Sequence, residues 1–136
     1  MSYATTQSIV TAVYQAINLS VGSDNPSGQS CEVYELQAPQ DVALPVCVFQ
    51  VISDVLDLGL TCDTEEAMLQ VDFYGEQELG SLALRTIADT LESDLHRDNL
   101  TIDGVSNTVY TTEKGVTTVE DGNILRIRQE YRILIQ

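Results

Sequence analysis

The sequence predicts a single α+β domain, with a mainly antiparallel sheet and two helices packed on one face. Three observations carry that expectation. Two stretches place apolar residues at helical spacing, several others alternate apolar with polar residues, and the 136 residues contain no internal repeat, linker or low-complexity tract. Hydrophobic residues make up 43% of the chain, and at this length that is enough for one sizeable core.

Following Thr5 or Thr6 as N-cap, Ile9, Val10, Val13, Tyr14 and Ile17 recur at helical spacing, and Gly22 with Asp24 to Gly28 stops the helix. Cys31 to Leu36 reads as a short strand ended by Pro39. Ala43-Leu44-Pro45 opens a stronger one, Val46 to Ile52, whose nearly unbroken apolar run predicts burial on both faces. Asp54 to Glu65 fits either an arm extending the sheet or an exposed loop. Ala67, Leu69, Val71 and Phe73 alternate with Gln70 and Asp72, the pattern of a strand with one buried face, which Gly75 ends. The second helix, Leu79 to Leu95, lines Leu84, Ile87, Ala88, Leu91 and Leu95 along one side. Beyond it, Leu100 to Ile102 and Val105 to Thr111 read as edge-strand material, with turns at Asp103-Gly104 and Asp121-Gly122. The closing segment, Ile124 to Ile135, alternates Leu125, Ile127, Tyr131, Ile133 and Ile135 with Arg126, Arg128, Glu130 and Arg132. The resulting order is α-β-β-β-α-β-β.

Six Lys and Arg against 21 Asp and Glu give a formal charge of -15. Such a chain repels a phosphate backbone, which basic side chains must neutralise, so it fits a soluble surface, a face meeting a basic partner or a lumen that DNA passes without adhering. Cys31, Cys47 and Cys62 lack the spacing of a zinc site or disulfide framework, so at least two are expected as reduced core thiols. With no basic N-terminal region and no apolar run near the roughly 18 residues of a membrane span, the expectation is a cytoplasmic protein without membrane contact.

Chemistry is sparse. His96, the single histidine, sits at the end of the second helix, where an imidazolium would complement the helix dipole; no nucleophile or orienting group accompanies it. Asp54, Asp57, Asp63, Glu65 and Glu66 could gather a hard cation, but their spacing matches no calcium loop. Asp72, Glu76 and Glu130 could serve as acid and base only if folding brought them together. No catalytic residue, cofactor or metal is therefore expected. Arg126, Arg128 and Arg132, half of all the basic residues, share one strand face. They either form salt bridges within the chain, with Asp72 or Glu130, or pair with acids of a second copy.

The order of these segments resembles the tail completion proteins of long-tailed phages and gene transfer agents, the tail terminators. The resemblance rests on the N-terminal helix, the stretch Ala43-Leu44-Pro45-Val46-Cys47-Val48-Phe49, the strand Leu69 to Tyr74, the Ala- and Leu-rich helix Leu79 to Leu95 and the closing strand Ile124 to Ile135. It implies a hexameric ring on the last ring of the tail tube, in the neck of the virion and assembled in the host cytoplasm. Such a ring stops tube polymerisation and meets the head-side connector or stopper protein. In that setting Arg126, Arg128 and Arg132 are candidates for the subunit interface. Asp54, Asp57, Asp63, Glu65 and Glu66, and on the Thr111 to Gly122 hairpin Glu113, Lys114, Glu120 and Asp121, are candidates for contact with tube or connector. A head completion or connector ring, and an acidic protein mimicking DNA, are the alternatives.

Overall fold

The computed structural model describes residues 6–22, 31–39, 44–58, 63–76, 82–96, 99–102, 104–120 and 123–135. They form one domain of eight elements: α1 (Thr6–Val21), β1 (Glu32–Glu35), β2 (Val46–Leu58), β3 (Asp63–Glu76), α2 (Leu82–Leu95), β4 (Asn99–Ile102), β5 (Val105–Glu120) and β6 (Ile124–Ile135). The strands make one six-stranded sheet in the order β1-β2-β3-β6-β5-β4. All neighbours are antiparallel except β1 and β2, which run parallel, so the sheet is mixed. The parallel pair is the correction to the expected architecture. The chain leaves β1 at Glu35 and enters β2 at Val46 in the same direction. Leu36, at a φ of +68°, turns the chain out of β1 while its N–H still bonds Phe49 O at 2.8 Å.

Both helices cover one face. Their inward residues, Ile9, Val13 and Ile17 from α1 and Leu84, Ile87, Ala88, Leu91 and Leu95 from α2, join Phe49, Leu69, Phe73, Ile127, Tyr131 and Ile133 in one apolar cluster. Along β6 burial alternates residue by residue, as the period of two requires. Gly75 lets the second helix come close, since a Cβ there would stand 3.2 Å from Leu84 Cδ2. Ser20 of α1 donates to Asp94 Oδ2 of α2 at 2.6 Å and ties the helices to each other.

Three other expectations change. β2 is only partly buried on its second face: Cys47 and Phe49 are buried beneath the helices, while on the uncovered side Val46 is buried but Val48 and Gln50 are half-buried, and Ile52 beyond them is exposed. The acidic stretch after Ile52 is the arm rather than the loop, because β2 and β3 stay paired out to Leu58 and Asp63. The Thr111 to Gly122 region is not a hairpin. β5 runs straight through Gly115 to Glu120, absorbing the extra residues as irregularities at Thr111/Glu113 and Glu113/Val116, and a third strand completes the C-terminal half. The β4–β5 turn has the predicted place, with Ile102 opposite Val105 and Gly104 at a φ of +80°. Asp103, Gly122 and the turn residue Asp121 lie outside the described residues.

A buried polar chain ties α2 to β6 within the apolar layer. Gln129 is fully buried on the helix-facing side of β6; its Nε2 donates to Ala88 O of α2 at 2.9 Å, and its Oε1 accepts the Tyr131 hydroxyl at 2.6 Å. Burial pushes the Tyr131 phenol far above its ordinary range, so it stays a neutral donor. Gln129→Leu leaves the Tyr131 hydroxyl without its acceptor and should cost about 1–3 kcal/mol in urea unfolding. Adding Tyr131→Phe to that variant should recover part of the loss; strictly additive losses would show that the two side chains do not act as a unit.

Candidate functional site

With both helices on one side, the opposite face of the sheet is left to solvent and partners. Its residues are the even-numbered positions of β3 and β6, which the register aligns across the two strands: Asp72 lies opposite Arg128, Tyr74 opposite Arg126 and Glu66 opposite Leu134. Arg126 Nε donates to Asp72 Oδ1 at 3.0 Å, and its guanidinium lies over the Tyr74 ring at 5.9 Å from the centroid. Asp72 is buried and its other oxygen accepts Gln70 Nε2 at 2.9 Å, so the carboxylate is bonded on both oxygens. Arg128 Nε reaches Glu113 Oε1 of β5 at 3.3 Å, and Arg132 Nη2 reaches Glu66 Oε2 at 2.6 Å. The arginine row thus pairs within the chain, with Asp72 as one of the partners expected and Glu113 and Glu66 as the ones sequence reasoning missed. Only a known strand register could have supplied those two.

The candidate contact residues divide between two ends of the sheet. β3 meets β6 from Glu65 opposite Ile135 to Glu76 opposite Ile124. The β2–β3 hairpin closes beyond the first of these pairs, at Leu58 and Asp63, and the β5–β6 hairpin closes beside the second, at Glu120 and Ile124. The two hairpins therefore point in opposite directions. Asp54, Asp57 and Asp63 stand on the backbone of the β2–β3 end, opposite Ala67, Thr64 and Leu58. Glu66 joins them from the open face, but Glu65 faces inward and is only 4% exposed, so it does not belong to an exposed acidic surface. On β5, Glu113 is held by Arg128, Lys114 is exposed and Glu120 is the last residue of the strand; Asp121 is outside the described residues.

At the β5–β6 end the open face also carries apolar surface. Leu36, Leu44, Val46, Val48, Tyr74 and Ile124 line a groove of about 300 Å³, and Val116 of β5 is exposed on the same face, opposite Arg128. Nothing in the sequence pattern singled it out, because its residues come from four separate segments.

No catalytic constellation emerges among the described residues. Asp72 and Glu76 sit four positions apart on one strand, about 13 Å at 3.3 Å per residue, and Asp72 is committed to Arg126. Glu65 and Glu66, as neighbours in a strand, point to opposite faces and cannot share a cation, and no group of three metal-ligating side chains occurs among the described residues. His96 also has a structural contact: its Nδ1 accepts the backbone N–H of Thr111 at 3.0 Å, and so it anchors β5 where that strand departs from regular register. Cys31 and Cys47 are buried free thiols, and burial together with the neighbouring Cys31 and the Asp72 charge pushes Cys47 well above the usual thiol range.

The sequence matches the family described as Tail completion protein gp17 over residues 12–136. The chain belongs to that family. It is accordingly a structural protein of a phage-type tail. No curated protein matches it. Among solved structures, a chain from the virion of a native gene transfer agent particle shares the fold at a TM-score of 0.75 and 15% identity, covering 98% of each chain. A second solved chain superposes at a TM-score of 0.62 with 11% identity, covering 93% of this chain and 95% of that one.

Two expectations can be checked directly. Arg126→Glu places a second carboxylate beside buried Asp72 and should lower stability by about 1–3 kcal/mol, whereas Arg132→Glu, at an exposed pair, should leave the unfolding midpoint unchanged. In a Cys62→Ser background, neither Cys31 nor Cys47 should react with a water-soluble thiol reagent until the protein is unfolded; rapid native labelling would contradict their burial.

Proposed function

We propose that the chain assembles into a hexameric ring that caps the head-proximal end of the tail tube, stops its polymerisation and joins the tail to the head-side connector or stopper protein. The observation that carries this reading, beside family membership, is the pair of hairpins at opposite ends of one sheet. A terminal ring has two axial faces with different partners, and a subunit with one hairpin at each end offers a different surface to each. Asp54, Asp57 and Asp63 belong to one of these surfaces, and Glu120, Val119 and the apolar groove to the other.

The charge supports the same reading. A ring of subunits that each carry -15 gives DNA a passage that repels it, so it traverses the lumen without specific binding. Within the ring, Arg126 serves the fold of each subunit through buried Asp72, while Lys114 and the Arg128–Glu113 and Arg132–Glu66 pairs are exposed enough to join the acids of the hairpin ends in partner contact. The same charge makes like subunits repel, so ring formation should increase between about 0.02 and 0.3 M salt as screening shortens the range of that repulsion.

The deciding test is electron microscopy of the cognate tail tube protein polymerising with and without this chain at equal molarity. Shortened tubes with extra density at one end are expected. Unaltered tubes with bare ends would overturn capping and favour a head completion or connector ring, which binds the portal side without a tube.

A further inference from the structure

The two lateral edges of the sheet are stepped, and the steps are complementary. On one edge β1 covers only the first part of β2, Val46 to Phe49, so that from Gln50 to Leu58 β2 is itself the outermost strand. On the other edge β4 covers only Val105 to Thr108 of β5, and from Val109 to Glu120 β5 is outermost. Following the registers across the sheet, β1 stands level with the outermost part of β5: Glu32 through Val46, Tyr74 and Arg126 to Thr118. β4 in turn stands level with the outermost part of β2, since Thr108 aligns through Leu134 and Glu66 with Val55. Each edge therefore protrudes where the opposite edge is recessed.

We infer that neighbouring copies join edge to edge, β1 of one copy pairing antiparallel with Gly115 to Thr118 of β5 in the next. This inference rests on the ring reading above and specifies its lateral contact. The occupant is a second copy of this chain because the fit needs no change in height between subunits related by rotation, the condition for a closed ring of heterologous contacts. Strand direction agrees: β1, β2 and β6 run one way and β3 and β5 the other, so β1 meets β5 antiparallel.

Side chains agree as well. In this register Val33 of the buried face meets Thr117, which opposes buried Ile127, and Tyr34 of the open face meets exposed Val116, which opposes Arg128. An aromatic facing a β-branched residue is a favoured cross-strand pair. Exposed Glu35 falls beside exposed Lys114, an opposite-charge contact in a chain that has few cations to offer. The stretch Val116-Thr117-Thr118-Val119 carries no charge or proline of its own, the usual protection of an outermost strand, as expected where another strand is to be received.

The test is disulfide trapping with Tyr34→Cys and Val116→Cys in a Cys62→Ser background, under a mild oxidant, alongside electron microscopy of the same samples. Within one chain β2, β3 and β6 separate β1 from β5, about 19 Å at 4.8 Å per strand, so any disulfide between the two introduced thiols must join two copies. A ladder of crosslinked species up to the ring, absent when Val116→Cys is replaced by Tyr110→Cys, is the expected result. Rings without crosslinks would overturn the edge pairing and leave the ring reading standing. A chain that forms no oligomer in screening salt, with or without tube protein, would overturn both.

Discussion

The register between β3 and β6 is the constraint on which everything else depends. These two central strands pair over twelve positions without a shift, and that single alignment puts Leu69, Val71, Phe73, Ile127, Tyr131 and Ile133 under the helices while it sends Glu66, Asp72, Arg126, Arg128 and Arg132 to the other side. A slip of one residue would exchange the two sets and bury three guanidinium groups. The ion pairs on the open face, the seating of α2 by Gln129 and the opposite orientation of the two hairpins all follow from it.

That arrangement also explains how so acidic a chain keeps a sheet face exposed. An uncovered face dominated by carboxylates would repel itself, and half of the basic residues are spent on it, each beside an acid on a neighbouring strand. Other described acids lie on β1 (Glu32, Glu35), on α2 (Asp89, Glu92, Asp94) and on β6 (Glu130), so the negative excess is spread over the domain. Three ion pairs on the sheet face and a strongly negative whole are therefore compatible.

Much of the fold was legible because α1, α2, β3 and β6 each bury one side only, and one-sided burial writes a periodic pattern into the sequence. β1 was legible as a strand but not as a parallel partner, since four residues record nothing about the direction of a neighbour. β5 misled because Glu113-Lys114-Gly115 has the composition of a turn, whereas the strand takes it up as irregular pairing with His96 holding the Thr111 amide. The arm was ambiguous because leucines alternating with aspartates fit a strand and a loop equally. At the candidate site, the row of arginines could be read from sequence but not its partners: Glu66 and Glu113 lie far along the chain from Arg132 and Arg128, and only the register brings them near. The groove between β1, β2, β3 and β6 was invisible for the same reason.

One consequence concerns mechanical load. A force pulling the two hairpin tips apart along the strands would act lengthwise on the β3–β6 ladder, loading its hydrogen bonds together in shear instead of peeling them one after another. Bonds loaded together must break nearly at once, so the chain should be stiff along the line joining its two ends and far weaker to a pull across its strands. A domain of this size then behaves less like a deformable cushion than like a short tie rod, with its strongest direction set by the axis of its sheet.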